Sequence, residues 1–445
     1  MNSDIFQSCV IVGLRGVLTF GVFFYGSHFF ALAEVGLLAQ VFAYIFVMTA
    51  VFDSGYSFLL LRDTKKNGKE VLSEIANHKL LVNSMLLFFT ISSIHIFTND
   101  FVQIYVIATL ISLTISFQNF FGVYCRSFKK YDAESSSLGI QVLMLLFLAH
   151  MFHGEMGVDN ALIIILTVRL VGIFYLYFRL KDQLVLSLKR FSYYLKNTAT
   201  YGLVVIFSTL YFQVDTIIIG RFGSIEDAGF HQNAVRLAVI GMMIMEVTNQ
   251  VFQPALVDKY INDRQSFSEY QRQIQRFFAA FSLLICVFLI FFSIPLLELI
   301  YGTEYLGLDR FVPFVCFIFM LRTFGLTVSL PMSLDANAWP RIVCVFLASL
   351  ISISLNLIFI GVLDYQWSSA FYISIAVHIL VNSCYVLFAK YKSEISLDFT
   401  PLVLSLGVVV VLANIPEIGV LYLFTGLVAA VLSISYFIKI KAHDY

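Results

Sequence analysis

The sequence predicts an all-α polytopic membrane protein with about 14 transmembrane helices, and its composition is the first reason. Of the 445 residues, 60% are hydrophobic and 13% are charged, and the mean hydropathy is +0.88. Soluble domains carry about 25% charged residues, so half of the usual charge is missing. The 28 basic and 28 acidic residues cancel, which leaves no overall basic field to attract nucleic acid. These numbers exclude a soluble enzyme, a disordered chain and a nucleic-acid-binding protein.

The spacing of the apolar stretches is the second reason. A helix that crosses a bilayer needs about 20 mostly apolar residues. Apolar stretches near or above that length lie at 5–27, 35–61, 79–97, 101–125, 136–152, 160–178, 198–219, 230–257, 277–300, 311–334, 341–363, 368–389, 400–414 and 418–438. The first stretch contains Arg15, and no lysine or arginine precedes it. A signal peptide has a basic start and a shorter apolar core, so this stretch is retained as a span.

The distribution of basic residues is the third reason, and it also predicts the orientation. Lysine and arginine favour cytoplasmic loops. If the N-terminus lies inside, 22 of the 28 basic residues fall in cytoplasmic regions, two in outer loops and four inside spans. A misplaced span would reverse the asymmetry for every later loop. We therefore expect the N-terminus and the C-terminus in the cytoplasm.

The connecting loops are too short to fold as a soluble catalytic domain. The sequence contains neither the phosphate-loop motif nor the dinucleotide-binding motif, so an enzyme is not expected. The longest central loop, 179–197, has leucines at helical spacing among lysines and arginines. It predicts a basic amphipathic helix on the inner leaflet, although an ordinary positively charged loop fits equally well. Either structure would link two lobes.

A short internal repeat indicates those two lobes. An offset of 193 residues places Gly36 on Gly229 within a short matched segment, and it also places Asp53 on Glu246. Parallel repeats are a transporter architecture in which the binding site lies between the repeats. We predict two pseudo-symmetric six-helix lobes and two C-terminal helices. The boundaries are 1–178 for the N-terminal lobe, 179–197 for the linker, 198–389 for the C-terminal lobe and 390–445 for the last two helices and the tail.

Charged side chains inside the predicted spans are the main functional signal. Each costs about 2.5–3.5 kcal/mol at the centre of a bilayer on insertion scales. They are Arg15, Asp53, Arg169, Asp215, Arg236, Glu246 and Arg322. Such groups face a water-filled cavity or one another. Two interpretations stay open: a cavity lined by arginines, or buried arginine–carboxylate pairs that hold helices together.

Polar stripes favour the cavity. In the eighth span, Glu246, Asn249 and Gln250 share one helical face. Arg236 lies about 40° around the helix from Gln250, at 100° per residue. A carboxylate and amides on one face are typical of the wall of an aqueous path. His378 lies on a polar stripe of the twelfth span, where proton coupling and plain hydrogen bonding both stay open.

The cysteines indicate no metal or disulfide chemistry. All six stand singly in apolar stretches, without the spacing of a zinc site. They are interpreted as small hydrophobic residues. We expect no cofactor and no structural metal, and the intramembrane carboxylates could bind a coupling H⁺ or Na⁺.

Several short motifs occur in an order that matches a known family. They are Arg15-Gly16, Glu34-Val35-Gly36, Asp53-Ser54-Gly55, Tyr201-Gly202, Asp215 to Gly220, Ala228-Gly229-Phe230, Ala234-Val235-Arg236-Leu237 and Ile300 to Tyr305. The chain thereby resembles the polysaccharide-transporter flippases, the O-antigen type exporters of a superfamily that includes multidrug/toxin antiporters and the lipid II flippase. Phe230 stands where the family has a tyrosine, and the N-terminus lacks the usual basic residue. Neither departure touches the proposed cavity.

The resemblance implies two six-helix lobes that expose a central cavity alternately to each face of the membrane. The cargo in that family is an undecaprenyl-diphosphate-linked oligosaccharide. It moves from the inner to the outer leaflet of the bacterial cytoplasmic (inner) membrane, for O-antigen of lipopolysaccharide or another surface polysaccharide. Membrane lipids, a polysaccharide polymerase and chain-length proteins are the implied partners, and nucleic acid is not.

The resemblance also implies roles for the charged residues. Arg15, Arg236 and Arg322 would attract the diphosphate and sugar head group, and Arg169 is a further candidate. The amides of Asn249 and Gln250 would hydrogen-bond sugar hydroxyls. Charge balance or ion coupling would fall to Asp53, Asp215, Glu246 and His378. In particular, Asp53 and Glu246 would compete with the substrate for the arginines, and the last two helices could form a groove for the polyprenyl tail.

Two other functions remain as alternatives. A multidrug antiporter of the same superfamily would need a net anionic cavity, whereas the spans hold four arginines and three acids. A membrane-embedded glycosyltransferase or polymerase would need catalytic loops outside the membrane, and the outer loops here are short.

Overall fold

A computed structural model describes residues 3–67, 70–97, 101–152, 157–181, 184, 191–334, 339–393, 402–403 and 405–409. The regular secondary structure of this part is entirely helical. Its α-helices are α1 (Ser3–Phe29), α2 (Leu32–Asp53), α3 (Tyr56–Asn67), α4 (Glu70–Phe97), α5 (Val102–Ser127), α6 (Tyr131–Met151), α7 (Val158–Leu180), α8 (Phe191–Phe222), α9 (Ile225–Asn262), α10 (Arg264–Phe291), α11 (Ser293–Tyr301), α12 (Val312–Leu334), α13 (Trp339–Asn356) and α14 (Ser369–Ser393). A 3₁₀ helix (Thr303–Phe311) precedes α12, and a π-helix (Leu357–Val362) follows α13.

Each of the first twelve predicted spans coincides with helix in the structure. Ten segments of the described chain are long and apolar enough to cross a membrane. This confirms the predicted fold class. Within the thirteenth span, 402–403 and 405–409 are helical, whereas the fourteenth span and most of the linker lie outside the described residues.

The second predicted span is in fact two helices, because the chain turns at Ser54 and Gly55. Ser54 ends α2 with φ 43°, and Gly55 has φ 79°. A Cβ atom at Gly55 would lie 2.7 Å from the backbone nitrogen of Gly202 on α8. Positive φ and close backbone approach both require glycine at position 55. The apolar residues continue on both sides of this turn, so hydropathy alone did not reveal it.

Two helices begin earlier than predicted, which corrects the assignment of two charged residues. Helix α4 begins at Glu70 rather than 79, and α6 begins at Tyr131 rather than 136. Lys79 was counted with a cytoplasmic loop, but it lies inside α4 and its side chain is 0% exposed. Glu134 was also placed in a loop, but it lies in the first turn of α6 and is 2% exposed. Charged residues at the ends of apolar runs mark helix starts poorly in this chain.

The chain divides into two compact units, Met1–Gly229 and Phe230–Tyr445. In the first unit, α2 packs on α5 and α8, α1 packs on α6, and α7 packs on α5 and α6. Helix α8, which falls largely within the predicted C-terminal lobe, packs on α2 and α3 of the first unit. The equivalence of the two predicted lobes stays a prediction. In the second unit, α12 packs on α10 and α14, and α13 packs on α14.

The matched glycines of the internal repeat meet in the first unit. A Cβ atom built on Gly229 would lie 3.0 Å from the Cα atom of Gly36. A Cβ atom on Gly36 would overlap the backbone carbonyl of Ile225, at the start of α9. Glycine at position 36 therefore allows the backbone of α9 to approach the backbone of α2 directly.

Candidate functional site

Arg15, which is partly exposed, forms an ion pair with the buried carboxylate of Glu134. Helix α1 packs on α6, and this places Arg15 Nη2 2.5 Å from Glu134 Oε1. Arg126 Nε, near the end of α5, lies 3.4 Å from Glu134 Oε2. The space for this pair comes from Gly122, where a Cβ atom would lie 2.5 Å from Glu134 Oε1 and 2.9 Å from Arg15 Nη2. The Glu134 carboxylate thus forms ion pairs with two guanidinium groups, those of Arg15 and Arg126.

Arg169 brings a third guanidinium close to this pair. It lies on α7, is 9% exposed, and its Nη1 donates a hydrogen bond to Gln118 Oε1 at 3.0 Å. Among the described residues no carboxylate pairs with Arg169, and Arg15 acts on it electrostatically. We call Arg15, Arg126, Arg169, Glu134 and Gln118 the arginine cluster. Three guanidinium groups and one carboxylate give it a formal charge surplus of two.

A surplus of guanidinium groups, one buried and two partly buried, favours an anionic ligand. Guanidinium keeps its charge and binds phosphate oxygens in pairs of parallel hydrogen bonds. The attraction to a phosphate grows as water is excluded from the site. The arginine cluster can therefore hold a phosphate or diphosphate when Glu134 gives up part of its contact with Arg15.

Asp53 pairs with Lys79 rather than with an arginine. Lys79 Nζ lies 3.5 Å from Asp53 Oδ1, and it donates hydrogen bonds to the Phe52 carbonyl at 2.9 Å and to Ser116 Oγ at 2.7 Å. Ser57 Oγ donates to Asp53 Oδ1 at 2.5 Å. Lys79 therefore occupies this carboxylate, and the competition of Asp53 with the substrate for the arginines stays a prediction.

Aromatic rings enclose the ammonium group of Lys79. Its Nζ lies 5.1 Å from the ring centre of Tyr56, 5.4 Å from that of Phe117 and 5.7 Å from that of Phe120. Such rings attract a cation through their negative faces. The fully buried lysine is therefore satisfied by a carboxylate, a carbonyl, a hydroxyl and three rings.

The second unit holds two further predicted arginines. Arg236 is 3% exposed on α9, and its Nη1 donates to Asn233 Oδ1 at 3.2 Å. Tyr301 and Tyr305 are among its electrostatic neighbours. Arg322 lies on α12 and acts electrostatically on His378 of α14.

His378 and Asp215 are both buried in their units. His378 is 4% exposed, and its Nδ1 donates to the Ser374 carbonyl at 2.7 Å. Asp215 is 2% exposed on α8. The backbone of Glu246, Asn249 and Gln250 belongs to α9, but their side chains lie outside the described part of the chain. The proposed amide contacts with sugar therefore stay predictions.

Sequence reasoning missed four members of these clusters: Lys79, Arg126, Glu134 and Gln118. The first three are charged residues beside apolar runs, and charge there usually marks a solvated loop. Gln118 stands next to Asn119 in the second half of the fourth predicted span, where a buried polar side chain needs a partner. These amides are a signal for a polar contact there, but they do not identify Arg169 as the partner.

Several solved structures of transporters and a flippase have a similar fold. The lipid II flippase MurJ in an inward closed conformation matches 99% of this chain and 99% of its own, with a TM-score of 0.69 and 15% identity. An inward-facing multidrug resistance MATE family transporter of the MOP superfamily matches 87% of this chain and 98% of its own, with a TM-score of 0.67 and 13% identity. A MOP superfamily transporter from Pyrococcus furiosus is described as having a binding pocket of reverse polarity. It matches 88% of this chain and 95% of its own, with a TM-score of 0.66 and 15% identity. At these identities the likeness shows the fold alone.

Sequence comparison identifies the family. No curated protein matches the chain. The model of the family described as polysaccharide biosynthesis protein matches residues 3–260, which is more than half of the chain and includes the arginine cluster and the Asp53–Lys79 pair. The chain, a multi-pass membrane protein with the fold of the MOP superfamily transporters, therefore belongs to the polysaccharide biosynthesis protein family.

Proposed function

We propose that this protein is a flippase for undecaprenyl-diphosphate-linked oligosaccharide repeat units. It moves them from the inner to the outer leaflet by alternating access, for O-antigen or another surface polysaccharide. The observation that carries the proposal is the arginine cluster, in which Arg15 and Arg126 share the Glu134 carboxylate while Arg169 bonds the neutral amide of Gln118. A family of polysaccharide biosynthesis proteins with a transporter fold gives that positive surplus a natural ligand.

The charge of the cluster matches a diphosphate. A charged group in the centre of a bilayer costs about 2.5–3.5 kcal/mol, and a diphosphate carries at least two such charges. Each guanidinium about 4 Å away offsets roughly 4 kcal/mol at an effective dielectric constant of about 20. Glu134 neutralises Arg15 while no substrate is present. When the substrate binds, its diphosphate replaces Glu134 as the partner of Arg15. Arg236, Arg322, Asn249 and Gln250 remain further candidates for binding the head group.

Ion coupling belongs to the same proposal. Asp53, Asp215, Glu246 and His378 are the titratable groups that could take up H⁺ or coordinate Na⁺. In the proposed setting the protein lies in a bacterial cytoplasmic membrane with both termini inside. A polysaccharide polymerase and chain-length proteins receive the flipped units. Transport, with no bond made or broken, is the proposed activity.

The test is a chromosomal deletion complemented with charge variants of the cluster. We expect the Arg15→Gln/Arg169→Gln double variant to lose surface polysaccharide, with complete lipid-linked repeat units accumulating on the inner leaflet. Arg169→Lys keeps the charge and should retain part of the export. Arg179→Gln removes an exposed arginine of the same unit and serves as the matched control.

Three outcomes would overturn the proposal. Full export by a stably expressed double variant would contradict the role of the arginine cluster. Complete units accumulating on the outer leaflet of the deletion strain would point to polymerisation. Normal polymer together with new sensitivity to cationic drugs would favour the multidrug antiporter, whose fold this chain shares.

A further inference from the structure

The second unit contains a pocket between the end of α13 and the first turns of α14. Its volume is about 640 Å³, which is ample for a small ligand. The π-helix Leu357–Val362 widens the end of α13, and the following turn reverses at Asp364 with φ 52°. Single π-helical turns occur often at functional sites. The predicted orientation places this turn at the outer face of the membrane.

The pocket has an apolar floor. Leu355 on α13 and Ile373 and Ala376 on α14 line it. Ala376 lies seven residues beyond the first residue of α14, Ser369, which corresponds to a depth of about 10 Å at 1.5 Å per residue. A pocket that reaches this far along two spanning helices admits the first segment of a hydrocarbon tail.

The rim of the pocket, unlike its floor, carries aromatic and polar side chains. Tyr365 and Tyr372 line it and remain 56% and 61% exposed. Gln366, Ser368 and Ser369 contribute an amide and hydroxyl groups beside these rings. Exposed aromatic faces with neighbouring amide and hydroxyl groups suit the apolar faces and hydroxyl edges of a sugar ring.

The described residues that line the pocket are all uncharged, so nothing there selects a phosphate or an ammonium group.

We propose that this pocket binds a glycolipid of the outer leaflet whose sugar is joined to its tail without a phosphate. The rings of Tyr365 and Tyr372 stack on the sugar, Gln366 and Ser368 hydrogen-bond its hydroxyls, and the tail enters between α13 and α14. Such a ligand is distinct from the diphosphate-linked substrate of the proposed function. The site itself is separate from the arginine cluster, which belongs to the other unit.

The chain carries its own reporter for this site. It has two tryptophans, of which Trp367 lies between the rim residues Gln366 and Ser368 and contacts Phe311 with ring centres 4.9 Å apart. Trp339 begins α13, at the opposite end of that helix, and is 62% exposed. The Trp339→Phe variant therefore leaves Trp367 as the single emitter.

The experiment titrates this variant, reconstituted as the full chain in phospholipid nanodiscs, with dodecyl-β-D-maltoside below its micelle concentration. We expect a saturable change in Trp367 emission that free maltose at the same concentration does not produce. Tyr365→Ala and Tyr372→Ala should each raise the half-saturating concentration about tenfold, since a stacked ring supplies on the order of 1 kcal/mol or more. Tyr372→Phe keeps the ring and should bind nearly as well.

Controls separate the head group from the tail. Dodecylphosphocholine has the same tail and a charged head, and it should produce a much weaker change. Tyr177→Ala removes an exposed tyrosine of the first unit and should leave the titration unchanged. Equal binding of both amphiphiles would overturn the saccharide assignment, and so would an absence of any saturable change. Because the readout is binding, failure here leaves the export test of the arginine cluster unaffected.

Discussion

The buried and partly buried cations of the first unit are held by three different kinds of partner. Lys79 has a carboxylate, two neutral oxygen atoms and aromatic rings. Arg15 has a carboxylate that it shares with Arg126. Arg169 has a neutral amide. Arg169 therefore keeps a charge that no carboxylate among the described residues neutralises, which is why we assign it to the proposed ligand.

The Asp53–Lys79 pair can be tested by a double-mutant cycle. Asp53→Asn leaves a fully buried ammonium group without its carboxylate, and removing one partner of a buried pair costs about 3–5 kcal/mol. Lys79→Met in the same chain removes the charge and keeps an apolar chain of similar length. We expect Asp53→Asn to lower the unfolding temperature in detergent strongly and the double variant to recover most of the loss. Equal unfolding temperatures for Asp53→Asn and the unchanged protein would contradict this.

Glu134 and Asp132 form a matched pair of carboxylates near the start of α6. Glu134 is buried between Arg15 and Arg126, whereas Asp132 contacts Arg179 at 3.2 Å with side chains 65% and 54% exposed. Glu134→Gln should destabilise the protein by about 3–5 kcal/mol. Asp132→Asn should change stability by less than about 1 kcal/mol, because water screens an exposed pair. Unfolding in detergent measures both, and similar values for the two variants would count against the buried ion pair.

At this scale the sequence identified the charges but not their partners. Arg15, Asp53 and Arg169 stand out because charge is rare within long apolar runs. Of their partners, Glu134 lies in the first turn of α6, Lys79 lies at the edge of a predicted span, and Gln118 carries no charge. Which side chains meet depends on how the helices pack, and hydropathy and helical periodicity do not reveal that packing.

At the scale of elements, hydropathy located the helices well and their interruptions poorly. The turn at Ser54 and Gly55 and the π-helix after α13 both lie within continuous apolar runs. A transfer free energy depends on composition, so it does not change where the backbone bends. These interruptions follow from contacts with other helices, such as the approach of Gly202 to Gly55.

Close backbone packing at Gly36 predicts a sharp contrast between two glycines. Gly36→Ala would place a methyl group on the carbonyl of Ile225 and should cost about 1–3 kcal/mol or more. Gly13→Ala on α1 meets nothing within 4 Å and should be neutral or stabilise the helix by up to about 1 kcal/mol. Thermal unfolding of the two purified variants compares them. A Gly36→Ala protein as stable as Gly13→Ala would show that α2 and the start of α9 do not approach this closely.

At the scale of the whole molecule, orientation is the prediction that most needs a measurement. Lys129 and Asp364 are exposed residues with nearly equal backbone angles, φ 55° and 52°, in loops predicted to face opposite sides. In a chain with its six cysteines replaced, Asp364→Cys should react with an impermeant maleimide on cells whose inner membrane is intact. Lys129→Cys should react only after that membrane is opened. The reverse pattern would place the N-terminus outside.

The internal repeat was the hardest feature to judge from the sequence. A few matched residues at one offset occur by chance in a long apolar chain, because such chains use few residue types. The meeting of Gly36 with Gly229 gives two of the matched residues a shared physical requirement. The equivalence of whole lobes stays a prediction.

The full burial of Lys79 bears on the order in which the chain is assembled during synthesis. Its counter-ion Asp53 lies on α2, which leaves the ribosome before α4, whereas Ser116 and the rings of Phe117 and Phe120 lie on α5, which leaves after it. When Lys79 enters the bilayer it meets a carboxylate already in place, and the remaining contacts close over it one helix later. Asp53 therefore acts on membrane insertion as well as on the finished fold, and α2, α4 and α5 become stable in the membrane as one group.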